Sequence, residues 1–131
     1  MGLDTSHGAF HGAYSAFNRL RQAVAEATGG SFPPRKDKNL DQSQCYFGDD
    51  YDPATHPGLM EFLSHSDCDG EISPEMCQKV ADDLEALLPV LDKRTDTGGH
   101  LRGYPRYGDV TRAFIAGCRA AAKANEPLEF H

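Results

Sequence analysis

The residues with the greatest chemical reach fall in three short stretches. The first holds Asp4, His7, His11 and Tyr14. The apolar spacing around them predicts a helix from about Gly8 to Ala27. At about 100° per residue, such a helix places His7, His11, Tyr14 and Asn18 within about 60° of one another. Two histidines four apart on a helix can reach one metal ion. Between them stand Gly-Ala-Phe, so the glutamate that acts as base in HExxH metalloproteases is missing. The plainer reading is a pair of boundary histidines bonded to their neighbours. Gly8 and Gly12 keep that end of the helix slim, so another backbone or a ligand can approach closely.

The second stretch is His65-Ser66-Asp67-Cys68-Asp69-Gly70-Glu71-Ile72, between two expected helices. Asp67, Asp69, Gly70 and Ile72 match the third, fifth, sixth and eighth positions of a calcium-binding EF-hand loop. In that pattern the glycine makes the sharp turn and the isoleucine ties the loop to a partner. The decisive first and twelfth positions are His65 and Met76. Without the bidentate glutamate, two of the oxygens that calcium needs are lost, so calcium is not expected. Zinc is the better metal candidate, with His7, His11, His65 and Cys68 as the ligand types on offer. Asp67, Asp69 and Glu71 could serve as acceptors or as an acid/base pair. The competing reading is a capping turn with no ligand. The third stretch is Phe130-His131, where an apolar ring could dock the tail and carry an imidazole to a site; a frayed tail is the default.

The elements that must position these groups are mainly helical. Phe10, Ala13, Phe17, Leu20, Val24 and Ala27 form a core stripe for the first helix, with Asp4, Thr5 and Ser6 as cap candidates and Gly29-Gly30 as its stop. A short helix is expected from about Gly58 to Ser64. A third follows Ser73 as N-cap with Pro74 at its first position. Met76, Cys77, Val80, Leu84, Leu87 and Leu88 are its buried face, and Pro89 its end or kink. The fourth runs from about Asp109 to Ala124, with Val110, Phe114, Gly117, Cys118 and Ala121 facing inward. Residues 29–56 and 92–108 read as surface loops, with a short strand at Cys45-Tyr46-Phe47. The expected fold is therefore mainly α: a single compact domain over residues 1–131, about four helices, a long irregular loop and a minor strand pair.

Length and charge exclude several classes. The chain has 131 residues, enough for one modest core. No run of 18 apolar residues occurs, so no membrane span is expected, and the polar start MGLDTSHGAF lacks the features of a secretory signal. Between Asp49 and Asp92 stand twelve acidic residues and one basic, Lys79. That acidic middle disfavours duplex nucleic acid as the partner, because phosphate recognition needs a basic face. Arg102, Arg106, Arg112 and Arg119 form the remaining basic candidates, with ordinary salt bridges as the plainer reading. The four cysteines make no CxxC. Cys77 and Cys118 fit core positions, and a reducing, cytoplasmic setting is expected. The serines form no G-x-S-x-G elbow.

Taken together, MGLDTSH with HGAYSAF, HSDCDGEI, LEALLP and NEPLEFH resemble a family of small bacterial and bacteriophage proteins. The resemblance covers the first 25 residues and about 60–90 and 110–131, and it implies no activity. It implies that Asp4, His7, His11 and Tyr14 travel with His65, Asp67, Cys68, Asp69 and Glu71 and with His131. A core has no use for so many His, Asp and Cys side chains. The expectation is that the three segments converge on one polar pocket. Three functions fit: a module that binds a small polar ligand or metal at the phage–host boundary, an acidic module for a basic protein partner whose polar cluster is structural, or a metal-dependent hydrolase-like enzyme.

Overall fold

Apolar residues at helical spacing draw most of the described residues into helices. The computed structural model describes residues 2–32, 47, 53–66, 69–96, 101 and 104–131. Among them are five α-helices: α1 (Tyr14–Ala27), α2 (Pro57–Ser64), α3 (Pro74–Glu85), α4 (Leu88–Leu91) and α5 (Tyr107–Ala124). Four short strands accompany them: β1 (Gly2–Asp4), β2 (His11–Ala13), β3 (Glu71–Ile72) and β4 (Leu128–Glu129). The expected strand segment at Cys45-Tyr46-Phe47 lies largely outside the described residues, as do Arg102, Asp67 and Cys68. No helix among the described residues is long and apolar enough to cross a membrane.

Local chemistry sets the helix ends. Ser73 Oγ accepts the Met76 N–H at 3.2 Å and caps α3, with Pro74 in its first turn. At the end of α1, Gly29 takes φ 83° while Gly30 N–H reaches back to Ala25 O at 2.9 Å. This is the left-handed stop that glycine makes without steric cost. Asn125 does the same for α5 at φ 56°. Pro89 marks a break: α3 ends at Glu85 and the chain resumes as the separate turn α4.

The first helix begins later than its apolar spacing suggests. Residues 2–13 form an antiparallel hairpin in which Gly2 faces Ala13, Leu3 faces Gly12 and Asp4 faces His11. Gly8 and Gly12 are weak helix formers, and a turn with His7 at φ 60° and Gly8 at φ 68° reverses the chain. Leu3 and Thr5 alternate inward while Asp4 points outward. The hairpin thus buries one face at period two, and α1 starts only at Tyr14, after an extended Ala13. Asp4, Thr5 and Ser6 are therefore not its caps.

One hydrophobic cluster fills the interior. Phe17, fully buried, lies at its centre. Its ring centroid stands 5.1 Å from Phe10, 5.7 Å from Phe62, 6.0 Å from Phe114 and 5.9 Å from Phe130. The pairs with Phe10, Phe62 and Phe130 are edge-on, an arrangement that adds about 0.5–1.5 kcal/mol each beyond burial. The helix α3 packs most extensively on α5 and on α2. Cys77 and Cys118 are buried free thiols at the α3–α5 contact. The hydrogen bond to Cys77, with burial adding to it, holds the Cys118 thiol protonated far above the ordinary range, which suits a small core hydrophobe.

Charged side chains pair over the surface of this core. Arg112 donates to both oxygens of Asp92 at 2.6 and 2.7 Å. Arg106 bonds Asp109, and Arg119 bonds Glu85. Arg106, Arg112 and Arg119 are thus engaged with carboxylates rather than forming a free basic patch.

Two outcomes are expected. A Cβ at Gly117 would fall 2.4 Å from Ala9 Cβ and 2.6 Å from its Cα. Gly117→Ala must therefore push the hairpin loop off α5, at a cost of about 1–3 kcal/mol, read as a lowered Tm by circular dichroism. Second, the Arg112 hydrogen bonds hold the Asp92 carboxyl below the usual carboxylate range. A depressed pKa gives stability that is present above the unfolded value and is lost as pH falls through the folded value. Arg112→Gln should lower Tm at neutral pH, and the difference should vanish in acid.

Candidate functional site

The three chemically rich stretches meet through their main chains. β4 is the central piece. On one side it pairs with β3, placing Glu129 opposite Glu71 and Leu128 opposite Ile72, and Phe130 N–H continues the ladder to Gly70 O at 2.9 Å. On the other side the chain beyond β1 bridges to it. Asp4 N–H donates to His131 O at 3.2 Å and His131 N–H donates to Asp4 O at 2.9 Å, so Thr5 faces Phe130 as the next pair. Two two-stranded sheets, β2–β1 and β4–β3, are thus joined by the single Thr5–Phe130 bridge into one ribbon assembled from both ends and the middle of the sequence. The isoleucine of the EF-hand-like loop does tie that loop to a partner, and the partner is Leu128.

The pleat sorts the side chains. Leu3, Thr5, Ile72, Leu128 and Phe130 turn inward and are buried. Asp4, His11, Glu71, Glu129 and His131 turn outward and are exposed. Register therefore sets His11, Asp4 and His131 side by side across three adjacent strands. Cross-strand neighbours of this kind have Cα atoms about 4.5–5.5 Å apart. His11 Nδ1 lies 3.5 Å from Asp4 Oδ1, and His131 Nε2 lies 3.9 Å from Glu129 Oε2. The two side chains of the first pair are 86% and 66% exposed. The segments converge, but their described polar groups stand on an open face rather than lining an enclosed pocket.

His7 and His11 do not share a helix face. His7 sits in the hairpin turn with Nε2 at 3.4 Å from Glu126 Oε1, while His11 lies on β2 beside Asp4. The helix face on which their i, i+4 metal pairing rested is not formed. His65 presents Nδ1 to Ser66 O at 2.8 Å and Nε2 to Glu71 O at 3.1 Å, and its ring lies 4.2 Å from that of Phe130. Whichever nitrogen carries the ring hydrogen faces a main-chain carbonyl, and with the Phe130 ring alongside, its contacts are those of a staple between the turn and β4. Among the described residues no three His, Cys, Asp or Glu side chains converge as a metal-holding group. Asp67 and Cys68 lie outside those residues. Asp69 is exposed in the turn, its N–H directed at Ser66 Oγ at 3.4 Å, and Tyr14 is half-buried against the core.

Three residues of this region escape a reading by spacing. Ser6, Glu126 and Glu129 sit inside the MGLDTSH and NEPLEFH stretches. Ser6 Oγ accepts the Glu129 N–H at 2.9 Å and contacts His7 Nδ1 at 2.9 Å. The available signal was a serine next to a histidine in a segment already marked as chemically dense. No family model, curated protein or solved structure matches this chain.

Phe130 holds the ribbon to the core, and truncating such a ring costs about 3–5 kcal/mol. In Phe130→Ala, the amides of Asp4 and His131 should exchange with solvent far faster than in the parent, while those in the middle of α5 remain the slowest. Equal acceleration across α5 would mean that Phe130 supports the whole core rather than the ribbon.

Proposed function

We propose that this protein is a binding module whose ligand lies across the outer face of the ribbon, on His11, Asp4 and His131, flanked by Glu71 and Glu129. The observation that carries the reading is the register that lines up two imidazoles on either side of a carboxylate in full contact with solvent. Exposed ion pairs of this type contribute about 0–1 kcal/mol to stability. Like charges directly opposed, as Glu71 and Glu129 are, oppose strand pairing. Stability therefore gives little reason for this set of side chains, whereas recognition does. With Asp4, Glu71 and Glu129 on one face, the complementary ligand is a small polar molecule that carries positive charge and several hydrogen-bonding groups.

The test is a titration of isotope-labelled protein with small polar amines, guanidines and amino-sugars, followed amide by amide. Binding should shift Asp4, Glu71, Glu129 and His131 together. Asp4→Asn and His131→Ala should each weaken it about tenfold or more, corresponding to the loss of one charge-assisted hydrogen bond of about 1.5–3 kcal/mol. At a hundred times Kd the ligand should add about 2.7 kcal/mol of stability. Shifts confined to other surfaces, or affinity unchanged in both variants, would contradict the proposal.

A further inference from the structure

At the tip of the first hairpin three side chains stand in line. The Ser6 hydroxyl lies 2.9 Å from His7 Nδ1, and His7 Nε2 lies 3.4 Å from Glu126 Oε1, 119 residues further along the chain. The Glu129 N–H donates to Ser6 Oγ at 2.9 Å. The carboxylate on the far side of the ring sets the arrangement. Glu126 Oε1 accepts, so in the hydrogen-bonded line Nε2 carries the ring hydrogen and Nδ1 is left to accept from the Ser6 hydroxyl, whose oxygen also accepts the Glu129 N–H. A hydroxyl against a basic ring nitrogen, with the far side of the ring oriented by a carboxylate, is the arrangement that activates serine as a nucleophile.

The backbone marks the same place. His7 holds φ 60°, in the left-handed region that few non-glycine residues occupy and that histidine enters more readily than most. Glycine or asparagine would make this turn with less strain. What the imidazole adds is its two partners. The His7 side chain is 20% exposed and Ser6 is half-buried, so the ring is partly shielded while the hydroxyl stays within reach of solvent.

We infer that Ser6, His7 and Glu126 form an acyl-transfer centre that hydrolyses small carboxylic esters. Ser6 Oγ bonds to the ester carbonyl carbon as its proton passes to Nδ1 of His7. The ester C–O bond then breaks, and the leaving alcohol takes that proton. Water attacks the acyl-serine, gives a proton to Nδ1, and the carboxylic acid departs as the proton returns to Ser6 Oγ. Glu126 orients the ring throughout. The Glu126 carboxylate on the far side of the ring disfavours anionic acyl groups, so neutral or cationic esters are the expected class. The centre shares the ribbon's outer face but uses none of Asp4, His11 or His131, so ligand binding can fail while hydrolysis stands, and the reverse.

The experiment combines a fluorophosphonate probe, located by peptide mass spectrometry, with turnover of p-nitrophenyl acetate by the full chain. The expected adduct is on Ser6 of the folded protein and is absent from protein held in urea. Ser6→Ala should lower turnover by about 10²-fold or more. His7→Asn is the second variant, because asparagine accepts the left-handed turn. It should keep the parent Tm yet lose both adduct and turnover. Glu126→Gln should lower kcat about tenfold with KM unchanged, which a merely structural role would not produce. A folded chain that leaves Ser6 unlabelled, or a His7→Asn protein that reacts at the parent rate, would overturn the inference.

Discussion

The packing of Phe17 governs the rest of the molecule. Its ring neighbours those of Phe10 from the hairpin loop, Phe62 from α2, Phe114 from α5 and Phe130 from the end of the chain. Burying a phenylalanine contributes about 1.5–3 kcal/mol relative to leaving it exposed, and here each partner of Phe17 comes from a different element. Collecting those rings fixes where the hairpin, α2 and β4 must lie. The main chains of Asp4, Gly70 and His131 then find their hydrogen-bond partners in each other, as buried and half-buried backbone must.

The ribbon that results has two unlike faces. Its underside is aromatic and aliphatic, continuous with the core. Its outer face carries ionisable groups that stability does not require, and its tip holds a histidine in a left-handed conformation. Strain and exposed like charges both oppose folding, and they sit together within a few residues of the hairpin turn. Sites of this kind persist where the rest of the fold is stable enough to support them. The division sets an apolar underside that packs into the core against an outer face of exposed ionisable groups.

Much of this was readable in the amino-acid order, and the failures have physical causes. The helices α1, α3 and α5 were visible because Phe17, Leu20 and Val24, or Cys77, Val80 and Leu84, repeat at helical period. Ser73-Pro74 and Gly29-Gly30 announced an end each. The hairpin was hidden because Asp4, His7, His11 and Tyr14 are spaced three or four apart, which fits a helix face, while strands of three residues are too short to display alternation. β3 and β4 have two residues each and no period at all. That the beginning, the acidic turn and the end converge was inferred from the polar, ionisable character of their residues. That they meet as paired strands with their polar groups outward was not, since register depends on contacts between residues more than fifty positions apart. The Ser6–His7–Glu126 line was invisible for the same reason, because its third member joins only when β4 docks.

The most direct measurement is the nuclear Overhauser contact between the α-protons of Thr5 and Phe130. In a non-hydrogen-bonded antiparallel pair the Cα atoms approach to about 4.5 Å, so the account predicts a strong cross-peak between these two protons. Its absence, together with helical contacts between Gly8 and His11, would show the N-terminal segment wound onto α1 and would contradict the ribbon on which everything functional here is built.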